Sequence, residues 1–315
     1  MTALQPEDRL WDLMRGALGT RALAIVADLG IAEALAGGPR PVDELAQELG
    51  ADPDVLRRLL RALASDGVFA EEGHGVFPNT NASELLQEGW GAFAQLFGGA
   101  WLRSVGALTP SGQPSFPAEF GTDFWSWLAE HADQRALFDR AMEQGNVSRV
   151  DRLADRDWRG DETVVDVGGG NGSLLAGLLE RHPGLRGIVF DLPETTRDEA
   201  SFGERCTSVA GNFFERVPKG DVYVLSTILH DWDDASAARI LGTIRACAPP
   251  GARVRILDAV VPDGNGEHWA KWLDLLMLAL FAGRERDEAE RRTLLAAGGL
   301  EPLRIVDGLI EARCP

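Results

Sequence analysis

Two features of this 315-residue chain have the residue types and spacing for chemistry. One is the run TVVDVGGGNGS, in which Asp166, Gly168, Gly170 and Gly172 are spaced D-x-G-x-G-x-G. The other is His230, in VYVLSTILHDWDD, at the end of an apolar run. Glycine is needed where a chain turns at positive φ and where a ligand must touch backbone. A helix opening after such a loop offers unpaired N–H groups to a polar or anionic ligand. Asp191 ends the next apolar run, nineteen residues after Gly172. An acid there suits bidentate hydrogen bonding to ribose hydroxyls. The dinucleotide fingerprint G-x-G-x-x-G/A fails, because Ser173 and Leu175 occupy the third position counted from Gly168 and Gly170. No Lys follows the glycines, so the P-loop pattern fails too. A mononucleoside fits this loop better than a pyrophosphate.

His230 differs from the other four histidines. His74 falls in a turn, and His131, His182 and His268 fall near helix ends or in loops. His230 alone is aimed by strand-end position at the carboxyl edge of a parallel sheet, where open α/β sheets place ligands. A phenol titrates near ~10 and imidazole near ~6.5, so a positioned His can take the phenol proton as the oxygen attacks an electrophile. No His, Asp or Glu cluster has metal-ligand spacing, and no metal is expected.

The elements that must position these groups alternate. Residues 161–315 read as strands TVVDV, GIVFD, TSVAG, VYVLSTIL and RVRILDAVV interleaved with amphipathic helices, then a terminal strand pair near LRIVDG and LIEARC. Strand–helix alternation predicts a doubly wound, mostly parallel sheet. Residues 1–100 read as three helices and a short hairpin, VFAEEGHGVFPNT, which is the order of a winged helix. Asp52 is placed to cap the third helix, with Pro53 at its first position. Residues 101–160 read as a helical, aromatic-rich linker that covers substrate. Their rings serve as core or interface, and a few could line a pocket for a flat apolar ligand.

Composition narrows the partners. The chain carries 49 acidic and 31 basic residues, a net charge of −18. Residues 1–100 hold seven Arg and no Lys against fifteen acids, a net of −8. That disfavours a DNA-binding winged helix, which needs phosphate-neutralising cations, and a hold on anionic membrane. MTALQPEDRLWDLM lacks a basic stretch followed by an apolar run, so no secretion signal is expected. No apolar run approaches the ~20 residues of a membrane span. Cys206, Cys247 and Cys314 form no pair by spacing, and a reducing cytoplasm is expected.

The glycine loop resembles motif I of S-adenosylmethionine-dependent methyltransferases. With VVDVGGGNGSLL, VFDLPE, AGNFFE, LSTILHDWDD, ILDAVVP, DLLMLALFAGRERDE, LLAAGGL and PNTNASELL, nearly the whole chain is similar to one family. That family is the small-molecule O-methyltransferases of the plant caffeate and isoflavone type, whose bacterial members act on aromatic polyketides and other antibiotics. The resemblance implies a Rossmann-like methyltransferase sheet behind a mostly helical, winged-helix-like dimerisation domain, S-adenosylmethionine as cofactor, an aromatic acceptor and a homodimer. It implies that His230 is the general base, with Asp258 and Glu285 as its carboxylate partners. Asp258 is preferred as the orienting group, because it ends the strand next to that of His230. Arg284 stands where the family has Lys, and the shorter Asp258 where it often has Glu. Cofactor contacts carried over are Gly168, Gly170, Asp191, Asn212, Phe213, Ser226 and Trp232, with Asn212 replacing the family's Asp. Met142 and Met277 match methionines that sandwich the aromatic acceptor. The later acids of HDWDD are expected to cap the next helix. Two alternatives stay open: a same-fold relative diverged to hydroxylation or decarboxylation, and a winged-helix regulator that senses a ligand.

Overall fold

The computed structural model describes residues 5–193, 195 and 203–315. Met1–Leu4 and Glu194 of VFDLPE lie outside them. The chain divides into two compact units, one of Met1–Gly106 with His131–Gln144, the other of Ala107–Glu130 with Gly145–Pro315. The stretch 101–160 is thus shared between the units, which departs from the expected division at 100 and 160.

In the first unit, α1 (Pro6–Asp28) precedes α2 (Val42–Leu49) and α3 (Pro53–Ser65). The Asp52 side chain accepts the Val55 N–H at 2.9 Å and caps α3 as its sequence position predicts. Leu56, Leu60 and Leu63, on one face of α3, pack with Ile31, Leu45, Phe69 and Phe77 into one apolar cluster. The expected hairpin is reduced. Only the bridges Phe69↔Asn79 and Glu72↔Val76 join its arms, and β2 (Val76–Phe77) pairs instead with β1 (Arg40–Pro41). Gly73 and Gly75 turn the chain at φ 65° and 76°. The unit also holds α4 (Gly89–Leu96) and α5 (Ala132–Glu143), and Met142 lies on α5.

In the second unit, α6 (Asn146–Ala154) leads into β3 (Thr163–Val167), α7 (Ser173–Arg181), β4 (Arg186–Asp191) and β5 (Cys206–Ala210). Then come β6 (Val222–Ser226), α8 (Asp234–Cys247), β7 (Arg253–Leu257), α9 (Ala270–Phe281) and α10 (Glu288–Ala297). Strands β8 (Glu301–Val306) and β9 (Leu309–Arg313) end the chain. The sheet order is β5-β4-β3-β6-β7-β9-β8. The first five of these are parallel, while β9 runs antiparallel to both its neighbours. Successive strands step outward from β3 to β5, then restart at β6 on the other side. Between β3 and β6 two strand ends therefore open a crevice with no connection crossing it. Buried Val165, Val167, Tyr223, Leu225, Val254 and Ile256 fill the core on one side with Ile240, Leu241 and Ile244 of α8. Phe124 and Trp125 pack on Phe281 at the end of α9, at ring distances of 4.9 and 5.4 Å, so these aromatics serve as core. No described helix is long and apolar enough to cross a membrane.

Leu225 is fully buried on the central strand β6. Leu225→Ala should cost about 2–5 kcal/mol, lowering the urea midpoint with an unchanged slope.

Candidate active site

The glycine loop leaves the end of β3 and enters α7. Gly168, Gly170 and Gly172 have φ of 74°, 57° and 77°, a conformation that residues with a Cβ rarely adopt. A Cβ at Gly168 would strike the Ile228 side chain, so this glycine lets the loop lie against the segment leading to His230. Beside Gly170 the space is open. Gly170 N–H donates to Asp191 Oδ2 at 2.8 Å and Leu192 N–H to Asp191 Oδ1 at 2.7 Å. Asp191 is thereby locked at the end of β4 beside the loop. Below the loop, Asp166 is fully enclosed, and its Oδ2 has no protein partner. Burial, reinforced by the Asp191 charge, pushes its carboxyl up to about 7.

The other side of the crevice belongs to the segment after β6. Ser226 ends the strand, and its Oγ is buried without a partner. Thr227 turns the chain at φ 55°, and His230 sits four residues past the strand end in the single turn Leu229–Asp231, not on the strand itself. Phe213 reaches Gly168, within 3.9 Å of where its Cβ would be. Trp232 stands edge-on to Phe213 and Phe214, at ring distances of 5.9 and 4.7 Å. Asn212 accepts the Phe214 N–H at 2.9 Å, which fixes its amide in the turn after β5. These rings form an apolar wall next to the glycine loop, with exposed backbone and unpartnered oxygens near it. That combination fits a nucleoside, and Gly168, Gly170, Asp191, Asn212, Phe213, Ser226 and Trp232 are together in one unit.

His230 is buried among carboxylates. Its Nδ1 lies 2.6 Å from Glu285 Oε1, and its Nε2 lies 3.4 Å from Asp231 Oδ1. Hydrogen bonding to an ionised Glu285 keeps the proton on Nδ1 and leaves Nε2 as the basic nitrogen. Burial opposes the imidazolium form. The charge of Asp231, the hydrogen bond and charge of Glu285, and the charge of Asp258 outweigh that, so His230 is pushed up to about 9. Burial, assisted by Asp258 and Glu285 and opposed by His230, raises Asp231 to about 7.

The carboxylate on His230 Nδ1 is that of Glu285, where Asp258 was expected. Asp258 is turned toward α10, where its Oδ2 accepts from Arg291 at 2.8 Å. Arg291 also reaches Glu285 Oε2 at 3.3 Å, so one buried guanidinium ties the two acids together. The shorter side chain of Asp258 pairs with this cation, and Glu285 arrives on the loop after α9. The later acids of HDWDD behave as expected, and Asp231 is the one that stays with the histidine. Asp233 caps α8 by accepting the Ser236 N–H at 2.7 Å, while Asp231 faces His230.

Met277 is buried on α9, which packs against the His230 turn. Met142 belongs to the other unit. Sequence reasoning passed over Arg149, Asp231, Asp274 and Arg291. Arg149 is half-buried, donates to Asn146 Oδ1 at 2.6 Å, and is linked through Asn146 to Ser173 at the start of α7. Its position six residues after the end of α5 gave no motif signal. Among the described residues no group of three His, Cys, Asp or Glu could hold a metal ion.

Replacing Glu285 by Gln removes the His230 partner whose charge and hydrogen bond both favour imidazolium. The His230 pKa, followed by NMR, should fall clearly below about 9 in Glu285→Gln and much less in Asp258→Asn. Equal shifts in the two variants would contradict this assignment of the orienting group.

Known proteins share this architecture. The family model of the O-methyltransferase domain matches residues 103–301, and that of the O-methyltransferase dimerisation domain matches residues 11–89. Phenazine O-methyltransferase PhzM of Lysobacter antibioticus is 36% identical, over 96% of this chain and 95% of that protein. O-demethylpuromycin-O-methyltransferase of Streptomyces alboniger is 37% identical, over 95% of this chain and 85% of that protein. The S-adenosylhomocysteine-bound structure of CalO1, a methyltransferase of calicheamicin biosynthesis, superposes with a TM-score of 0.80 at 34% identity, covering 99% of this chain and 98% of that one. Sheet order, crevice and sequence agree: the chain belongs to the O-methyltransferase family of S-adenosylmethionine-dependent enzymes.

Proposed function

We propose that this protein methylates a phenolic hydroxyl of an aromatic natural product, with His230 as general base. The observation that carries the reading is the buried His230–Glu285 contact of 2.6 Å, which commits Nδ1 and leaves Nε2 to act. S-adenosylmethionine supplies, when bound, an electrophilic methyl group on a sulfonium whose positive charge opposes the imidazolium form. Gly168, Gly170 and Gly172 would present bare backbone to it, Asp191 would take the ribose hydroxyls, and Ser226, Asn212, Phe213 and Trp232 would surround the base. Arg149, a half-buried cation tied to the start of α7, would face the carboxylate. His230 Nε2 would take the phenol proton as the oxygen gains its methyl group, with the sulfur–methyl bond broken and its electron pair left on a neutral thioether. The imidazolium so formed is stabilised by Glu285 and Asp231, which hold negative charge around it at no further reorganisation. Met277 would form a soft wall against the aromatic ring.

The acceptor class is supported by the relatives named as a phenazine O-methyltransferase and an O-demethylpuromycin-O-methyltransferase. A homodimer is the assembly that suits the chain. Leu10, Trp11, Leu13, Met14 and Leu18 on α1 are more than half exposed, an apolar surface that asks for cover. The cysteines are all free thiols, which suits the cytoplasm.

Four outcomes are expected. S-adenosylhomocysteine at ~100 times its dissociation constant should stabilise the protein by ~2.7 kcal/mol in thermal unfolding, and NAD⁺ should not. With a hydroxyphenazine as acceptor, His230→Ala should lose about 10²–10⁴ in kcat. In the wild type, kcat/KM should climb with pH and level off near 9, because the base works only once His230 has lost its proton. A profile flat from pH 6 to 9, or a fully active His230→Ala, removes His230 from the mechanism. Light scattering should find a dimer, and Trp11→Asp combined with Leu18→Asp should yield monomers.

A further inference from the structure

We infer that Asp274, on α9, is a positioning residue for His230 that acts through the backbone of Glu285. The inference rests on the proposed role of His230 as base. Asp274 Oδ1 accepts the Glu285 N–H at 2.8 Å. Glu285 has both carboxylate oxygens engaged, Oε1 by His230 and Oε2 by Arg291. Its backbone N–H is a further point at which the residue is held. Glu285 is only 3% exposed, so an unpaired N–H there would carry the full cost of a buried orphan donor. A carboxylate acceptor satisfies it with a charge-assisted bond.

The route of the chain explains why the anchor comes from inside α9. The helix ends at Phe281, Ala282 reverses direction at φ 58°, and the next residues return alongside the turn of His230. A Cβ at Gly283 would collide with the His230 carbonyl, so glycine permits this approach. Arg284 N–H then donates to His230 O at 2.8 Å. Arg286 donates to Leu229 O at 2.9 Å and to Trp232 O at 2.8 Å. Backbone of His230, side chain of His230 and backbone of Glu285 are thus held in sequence, and Asp274 closes the chain of contacts. Met277 lies one turn further along the same helix. A substrate seated against Met277 is registered to the base by the helix that orients it.

The test compares Asp274→Asn, which keeps an oxygen acceptor, with Asp274→Ala, which does not. With the hydroxyphenazine acceptor, Asp274→Ala should lose about 10- to 100-fold in kcat, the cost of a misplaced catalytic group, with little change in KM. Asp274→Asn should recover most of that loss. The low-field NMR signal of the His230 Nδ1–H should move in Asp274→Ala and stay near its wild-type position in Asp274→Asn. Asp274→Glu, which displaces the acceptor by one methylene, gives the same readouts if the Ala variant fails to fold. Wild-type kcat with an unmoved Nδ1–H signal in Asp274→Ala or Asp274→Glu overturns the proposal. So does an equal loss in Asp274→Asn and Asp274→Ala. The NMR signal separates this outcome from failure of the base mechanism, which would show as retained activity in His230→Ala whatever Asp274 does.

Discussion

The second unit depends on keeping one imidazole buried in ionic company. His230 has Asp231 and Glu285 on its two nitrogens and Asp258 nearby, and all four residues are buried. Three carboxylates around one histidine would repel one another unless further cations balanced them. Arg291 supplies one, bound to Asp258 and Glu285 together. Arg286 supplies a different service: it is fully buried, pairs with Asp234 at 2.8 Å and caps the carbonyls of the His230 turn. Removing any member leaves another charge uncompensated in a low dielectric, so the group behaves as a unit. This is why the carboxylates raise the pKa of His230 although burial alone would lower it.

Such a cluster can be assembled only where several elements end together. Strands β6 and β7 are neighbours, and their carboxyl ends deliver the His230 turn and Asp258. Helix α10 brings Arg291 over the same edge, and the loop from α9 brings Glu285. On the far side of the crevice, β3 and β4 deliver the glycine loop and Asp191. The restart of strand order between β3 and β6 keeps the space between these halves free of crossing chain. Sheet topology therefore sets a glycine loop with open backbone and a buried imidazole side by side, without any long loop having to hold them.

The sequence made the scaffold legible because its signals are local. Alternating apolar runs, the Asp52 cap and the glycine spacing each act within about ten residues, and the strands and helices stand where these signals put them. The reduced hairpin at Gly73 and Gly75 shows the limit, since pairing with Arg40 and Pro41 is a distant choice that local pattern does not encode. His230 was legible for the same reason as the strands, since it follows an apolar run. Its partner was not. Asp258 and Glu285 both carry a carboxylate within reach by topology, and only the placement of Arg291 decides which of them turns toward the imidazole. Asp274 and Arg149 had no local signal at all, because one acts on a backbone N–H and the other through Asn146.

The two turns that build the cluster explain why the fold tolerates strain there. Thr227 and Ala282 adopt φ of 55° and 58° without being glycine, and for a β-branched Thr this conformation is costly. Each sits where the chain must change direction just before it meets His230 from one side. Thr227 is pinned by its N–H to Leu257 O at 3.0 Å, and the segment after Ala282 is pinned by the Arg284 and Arg286 bonds to the His230 turn. Relaxing either turn would draw His230 or Glu285 away from its partner and leave a buried charge unpaired. That electrostatic loss exceeds the ~1–3 kcal/mol of a strained backbone, so the ionic cluster holds the turns in place as much as the turns hold the cluster.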